Sequence, residues 1–145
     1  MTPTDCAYIA GFIDGEGCIT LSKRMPSKGV NYSYRPEIVI ANNHRETLEW
    51  IRERVGGAIH GPTKKGGYQL RLAAQATLEA LTACRPYFVQ KGTQADILLA
   101  FYSTSGAGRF IAREALYIAL MSTHGGQGRR RVVWGQSPLC ERSVS

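Results

Sequence analysis

The sequence predicts a single α+β domain: one four-stranded antiparallel sheet, helices on one of its faces, and further helices towards the C-terminal end. Three observations predict it. Helical and alternating apolar periods follow the order helix, strand, strand, helix, strand, strand, helix. The gap inside each strand pair is too short for a crossover connection, so each pair is antiparallel. And 145 residues, 43% hydrophobic and 20% charged, are enough for one core and exclude a chain that is disordered throughout.

Residues 4–13 read as a helix, capped by Thr4 or Asp5, with Ala7, Ile9, Ala10, Phe12 and Ile13 as apolar positions. Asp14-Gly15-Glu16-Gly17 is expected to break it. Residues 18–23 then alternate, Cys18, Thr20 and Ser22 against Ile19 and Leu21, as a half-buried strand does. A turn at 26–29 leads to a second strand over 32–41. Residues 44–55 form an amphipathic helix carrying Leu48, Ile51 and Val55, stopped by Gly56-Gly57. Residues 58–60 and 68–72 flank a polar turn and predict a hairpin. Helices are expected over 74–84, 92–102 and 109–121. The domain is placed at 1–123. Residues 124–145 are rich in Gly, Arg and Ser and read as a basic tail.

Charge narrows the partners. Eighteen basic against 11 acidic side chains give +7 and a pI of about 9.5, which attracts polyanions, nucleic acid first among them inside cells. No apolar run approaches the ~18 residues of a membrane span, and Met1-Thr2-Pro3-Thr4-Asp5 does not resemble a signal peptide. Cys6, Cys18, Cys84 and Cys140 contain no Cys-x-x-Cys pair and read as reduced thiols. A zinc site of Cys6, Cys18 and a histidine gains no support from spacing. The expectation is a soluble intracellular protein with no membrane partner, found in the cytoplasm or nucleoid of a bacterium or phage-infected cell, or in an organelle.

The acidic turn is the most informative segment. Asp14 and Glu16 fall at a helix C-terminus, where the backbone dipole disfavours carboxylates. A divalent cation reverses that preference, since Mg²⁺ takes one or two carboxylates together with water and phosphate oxygens. An ordinary surface turn is the competing reading. The small residues Ala10 and Gly11 in the helix before it would let a second helix backbone come close. Two copies of the helix would then bring two acidic turns together, tolerable only with metal between them.

The residues Ile9-Ala10-Gly11-Phe12-Ile13-Asp14-Gly15-Glu16-Gly17 closely resemble the LAGLIDADG motif of homing endonucleases. Two further segments extend the resemblance in the same order. Ile40 to Leu48 is similar to the family's second strand passing into its second helix, and Pro86 to Ala95 to its later segment carrying a lysine and a Gln-Ala pair. The resemblance covers residues 7–102. It implies the αββαββα fold of that family, whose sheet forms a DNA-binding saddle. It implies that Glu16, with the Gly15 backbone, holds the metal; that Lys91 steadies transition-state charge; and that Asn42, with Asn43 as fallback, orders solvent at the scissile phosphate. Ala10, Gly11 and Asp14 are then structural members of the motif. The chain departs from the family's commonest pattern at two positions, with Glu rather than Asp at 16 and Asn rather than Gln at 42.

On that saddle, long polar residues would read DNA in the major groove. The set is Thr20, Ser22, Arg24, Lys28, Asn31, Ser33, Arg35, Glu37, His60, Lys64, Lys65, Gln69 and Arg71. Arg129, Arg130 and Arg131 either touch phosphates or form a solvated tail. A single motif implies a homodimer through the 4–13 helix. The implied activity is site-specific, Mg²⁺-dependent double-strand cleavage of a near-palindromic target, leaving short 3′ overhangs. Mn²⁺ would substitute for Mg²⁺, Ca²⁺ would support binding without cleavage, and no small-molecule cofactor is implied. The alternatives are a non-cleaving protein on the same scaffold (an RNA maturase or a DNA-binding regulator) and a decayed enzyme. The presence of Glu16 favours the nuclease.

Overall fold

A computed structural model describes residues 1–26, 28–29 and 31–124. The tail arginines Arg129, Arg130 and Arg131, and Cys140, lie outside the described residues.

The first helix, α1 (Pro3–Glu16), begins earlier and ends later than its apolar period indicates. Its cap is Thr2, not Thr4 or Asp5. The Thr2 hydroxyl accepts from the Asp5 amide at 3.1 Å, and the Asp5 carboxylate accepts from the Thr2 amide at 3.1 Å. This capping box satisfies two end groups at once, and Pro3 supplies the first helical φ without needing a hydrogen bond. At the other end Asp14-Gly15-Glu16 does not break the helix but forms its last turn. Termination falls at Gly17, whose amide donates to the Ile13 carbonyl. A Cβ on Gly17 would sit 2.8 Å from the Ile13 backbone, so only glycine lets the chain turn directly into a strand here.

The strands are β1 (Gly17–Arg24), β2 (Ser33–Asn42), β3 (Ala58–His60) and β4 (Tyr68–Ala73), in the spatial order β1-β2-β4-β3, all antiparallel. The helices are α2 (Arg45–Val55), α3 (Gln75–Cys84), α4 (Gly92–Tyr102) and α5 (Arg109–Thr123), with a 3₁₀ turn at Arg85–Tyr87. The α+β class, the single four-stranded antiparallel sheet and the order of elements therefore match the expectation.

Register divides the sheet into two faces. Ile19, Leu21, Ile38, Ile40, Leu70 and Leu72 share the inner face and are buried against Ile9, Ile13, Leu48, Ile51, Leu81 and Leu98 of the helices. Burying side chains of this kind contributes about 1.5–3 kcal/mol each. Cys6 and Cys84 belong to this core, and burial with Cys6 alongside pushes the Cys84 thiol up to about 12. Cys6 and Cys84 are free thiols, and no group of three metal-ligating side chains occurs among the described residues, so the zinc alternative gains nothing. No described helix is long and apolar enough to cross a membrane.

Candidate catalytic and nucleic-acid-binding site

The site is organised where two helix ends meet. The C-terminus of α1 faces the segment that leads into α4, and each supplies hydrogen-bond partners to the other. The Asp14 carboxylate accepts hydrogen bonds from the amides of Val89 (2.8 Å), Gln90 (3.2 Å) and Lys91 (2.8 Å). These amides belong to the segment leading into α4, up to its N-cap Lys91, and a carboxylate beside a helix start is favoured by the dipole. In return the Lys91 ammonium donates to the Ile13 carbonyl at 3.0 Å and to the Asp14 carbonyl, which are among the last acceptors of α1, where a cation is favoured.

Asp14 is thus held in structure, while Glu16, two residues on, is exposed at the end of the same turn. Lys91 is brought to that end by the Asp14 clasp, although 75 residues separate it from Glu16 in the chain. Replacing Asp14 by Ala strands three amides, and is expected to lower unfolding free energy by about 2–3 kcal/mol in urea denaturation, with Asp14→Asn intermediate.

Asn42 ends β2 on the inner-face parity, opposite Tyr68. Its side-chain oxygen accepts from the His44 amide at 2.8 Å, a local turn that starts α2. Asn43 is exposed in the bend that follows. Both stand at the same end of the sheet as Glu16, since Gly17 pairs with Ile40.

The two small motif residues part company. Ala10 is fully buried within this chain's own core, so it cannot seat a second helix as the sequence reading supposed. Gly11 lies on the opposite, exposed stripe of α1 with Thr4, Ala7, Tyr8 and Gly15. A Cβ added at Gly11 or Gly15 would meet nothing within 4 Å. Tyr8 is 49% exposed and leans edge-on against Trp50 at 5.2 Å. Arg54 stacks on the same indole at 3.6 Å.

The outer face of the sheet carries Thr20, Ser22 and Arg24 on β1, Ser33, Arg35 and Glu37 on β2, Gln69 and Arg71 on β4, and His60 on β3. Every strand residue singled out for DNA contact falls on this face. Lys28 and Asn31 lie in the β1–β2 connection, and Lys64 and Lys65 in the β3–β4 turn; all four are exposed. The face is not polar throughout. Cys18 and Val39 lie on it as a small buried cluster of their own, with Ala41 and Thr20 also buried. Three of the polar residues are joined: Arg71 donates to Gln69 Oε1 at 3.0 Å and approaches Glu37 at 3.5 Å. That pairing offsets the negative charge of Glu37 on an otherwise basic surface.

One residue of this end escaped sequence reasoning. His124, half-buried at the C-terminus of α5, hydrogen-bonds through Nε2 to the Ile19 carbonyl of β1 at 3.3 Å. Burial, helped by the charge of Lys91 and opposed by the Ile19 carbonyl, holds the imidazole below its ordinary 6.5. The unfolded chain therefore protonates first on acidification. Stability should fall as the pH drops from about 6.5 towards the lower folded value. Melting temperatures across that range check this, and His124→Gln should flatten the slope. No local signal marks His124, because its partners are Ile19 and Lys91, far away in sequence.

The family model described as LAGLIDADG endonuclease matches residues 9–99. Among solved structures, the homing endonuclease I-CvuI, in complex with DNA in the presence of Mg and with the DNA not cleaved, superposes with a TM-score of 0.75 at 19% identity, over 90% of this chain and 87% of that one. The group I intron-encoded homing endonuclease I-CeuI, complexed with DNA, superposes with a TM-score of 0.73 at 14% identity, over 98% of this chain and 77% of that one. The meganuclease I-SmaMI, bound to uncleavable DNA, gives a TM-score of 0.63 at 14% identity, with 86% of this chain covering only 45% of that longer one. No curated protein sequence matches. At these identities the structural likeness carries the fold, and the family model carries membership: the chain belongs to the LAGLIDADG endonuclease family.

Proposed function

We propose that this chain is one half of a homodimeric, site-specific DNA endonuclease, with Glu16 and the Gly15 backbone as the metal position and Lys91 beside them. The single observation that carries the reading is the helix-end clasp. It sets an exposed carboxylate and a held ammonium at one end of a basic sheet face.

The donor set suits Mg²⁺, which accepts one or two carboxylates and completes its shell with water and phosphate oxygens. One chain contributes Glu16 alone, so a second Glu16 from a partner copy and the DNA phosphates would complete the site. When bound, the cation supplies an activated water and neutralises phosphoryl charge; Mn²⁺ can take its place, and Ca²⁺ would hold DNA uncut.

The chain's own residues position the substrate. Lys91, anchored on the α1 carbonyls, places a positive charge near the developing charge on phosphoryl oxygens. Asn42, or Asn43, directs solvent at the β2–α2 junction. Basic loops at Lys28, Lys64 and Lys65 contact phosphates, while Arg24, Arg35, Gln69 and Arg71 face base edges, where Arg reads guanine and Gln reads adenine. Arg129 and Arg130 add sequence-independent affinity.

Dimerisation goes through the exposed stripe of α1, and the 45% coverage of I-SmaMI is what one half of a two-part molecule would give. The target is then near-palindromic, spans roughly two helical turns, and is cut on both strands with short 3′ overhangs.

The test is in-vitro cleavage of a randomised duplex library with Mg²⁺, beside an EDTA control. Cut molecules sharing a near-palindromic site, absent with EDTA, support the reading. Enrichment of one sequence by binding, without cutting, turns it towards a DNA-binding regulator. An intact fold that neither binds nor cuts DNA turns it towards RNA.

A further inference from the structure

Lys23 is the one basic residue of β1 that turns away from the outer face. It pairs with Tyr34 across the β1–β2 ladder, on the inner parity shared with Ile19 and Leu21. Its side chain is part-buried, 20% exposed. The ammonium lies 2.8 Å from Glu114 of α5, 4.1 Å from the centre of the Tyr32 ring, 5.5 Å from Tyr117 and 5.9 Å from Tyr34. The Tyr34 hydroxyl donates to the other oxygen of Glu114. The Glu114 carboxyl is held below its usual range by the Lys23 ammonium and the Tyr34 hydroxyl.

Helix α5 therefore has two attachments to the edge strand: Glu114 to Lys23 and His124 to Ile19. Ten helical residues span about 15 Å and four strand residues about 13 Å. The two elements thus run side by side in opposite directions, and α5 braces β1 along its length. The inner pair Lys23 and Tyr34 lies between two outer pairs, Arg24 with Ser33 and Ser22 with Arg35. Fixing the inner pair fixes the direction in which the outer pairs point, because successive strand side chains alternate about one backbone.

We propose that the Lys23–Glu114–Tyr34 clamp is a specificity-determining positioning device: it sets the pose of Ser22, Arg24, Ser33 and Arg35, and so base selection at the part of the target farthest from the cut. This rests on the endonuclease reading above. Along β1 the clamp is about 20 Å from Gly17, or about six base-pair steps at 3.4 Å each, so its influence falls on outer and not on central target positions.

The experiment compares wild type, Lys23→Met, Glu114→Gln and Lys23→Arg on the selected target and on all its single-base variants, with melting temperatures alongside. Lys23→Met keeps the stem but loses the charge; Lys23→Arg keeps the ion pair and the ring contact. The expected result is that Met and Gln lose about tenfold in discrimination at outer positions, the worth of one base-pair contact. Central positions and the cleavage rate at saturating DNA stay as in wild type, and Arg restores the outer preference. An unchanged profile overturns the proposal. So does a uniform loss across all positions that tracks a lowered melting temperature, since the clamp would then be structural only. If wild type binds a site without cutting, the same profile is read by binding and judges the clamp separately from catalysis. A wild-type chain that neither binds nor cuts overturns the reading beneath the proposal, and the clamp's role with it.

Discussion

Glu16→Gln is expected to bind its target duplex as wild type does and to leave it uncut, with a cleavage rate lower by at least about a thousandfold. The substitution keeps length and shape and removes the one charge at the end of α1 that the fold does not use. The structural work at that helix end is done by Asp14, which holds the amides of Val89, Gln90 and Lys91. Lys91 closes the carbonyls of Ile13 and Asp14. The melting temperature should therefore not fall. Removing one carboxylate per copy also removes repulsion from the phosphate backbone, so affinity should hold or rise slightly. Gel-shift titration beside single-turnover cleavage with Mg²⁺ separates the two effects. A Glu16→Gln protein that still cuts with Mg²⁺ would remove Glu16 from the catalytic assignment, and the departure from the family's usual Asp would then matter.

Gly11→Phe is expected to give a folded monomer that no longer makes double-strand breaks. Glycine inside a helix costs about 1 kcal/mol relative to alanine, so a glycine at position 11 needs a reason. This chain's own packing supplies none, because a Cβ there would meet nothing within 4 Å. The exposed stripe Thr4, Ala7, Tyr8, Gly11 and Gly15 is small at the positions where a second helix would come nearest. A phenylalanine there should raise the dimer dissociation constant at least about a hundredfold, since two copies of a bulky ring must be accommodated across a symmetric contact. The monomer's melting temperature should be unchanged or higher. Light scattering and cleavage on one plasmid substrate read both outcomes. A Gly11→Phe protein that stays dimeric and cuts both strands would place the interface elsewhere and leave Gly11 unexplained. The contrast with Ala10 sharpens the test: it is fully buried, so enlarging it should unfold the chain whatever its oligomeric state.

Much of the fold was legible because the signals are short-range. Alternation at Cys18 to Ser22 and at Tyr68 to Leu72 set which face each strand residue takes, and register kept the expected strand residues together on the outer face. Misread segments were those where a cap competes with a period. Asp14-Gly15-Glu16 has the composition of a loop, yet it stays helical because Lys91 closes the Ile13 and Asp14 carbonyls from outside α1, while the Asp14 carboxylate is held by the Val89, Gln90 and Lys91 amides. Thr4 and Asp5 are as plausible as Thr2 for the cap until Pro3 is seen to start the helix.

The sequence by itself determined the elements, their order and the acidic motif, since each depends on residues within a few positions of one another, and the family, which rests on short segments in a fixed order. Only the tertiary structure decided that Asp14 clasps the start of α4 while Glu16 stays exposed, that Ala10 turns inward and Gly11 outward, and that Lys23 serves α5 while its neighbours Ser22 and Arg24 face out. Those outcomes join groups up to about ninety residues apart. A helix or strand period says which side a residue takes. What waits on that side is settled when the core closes, because close packing leaves each buried polar group only the partners that its neighbours bring within reach.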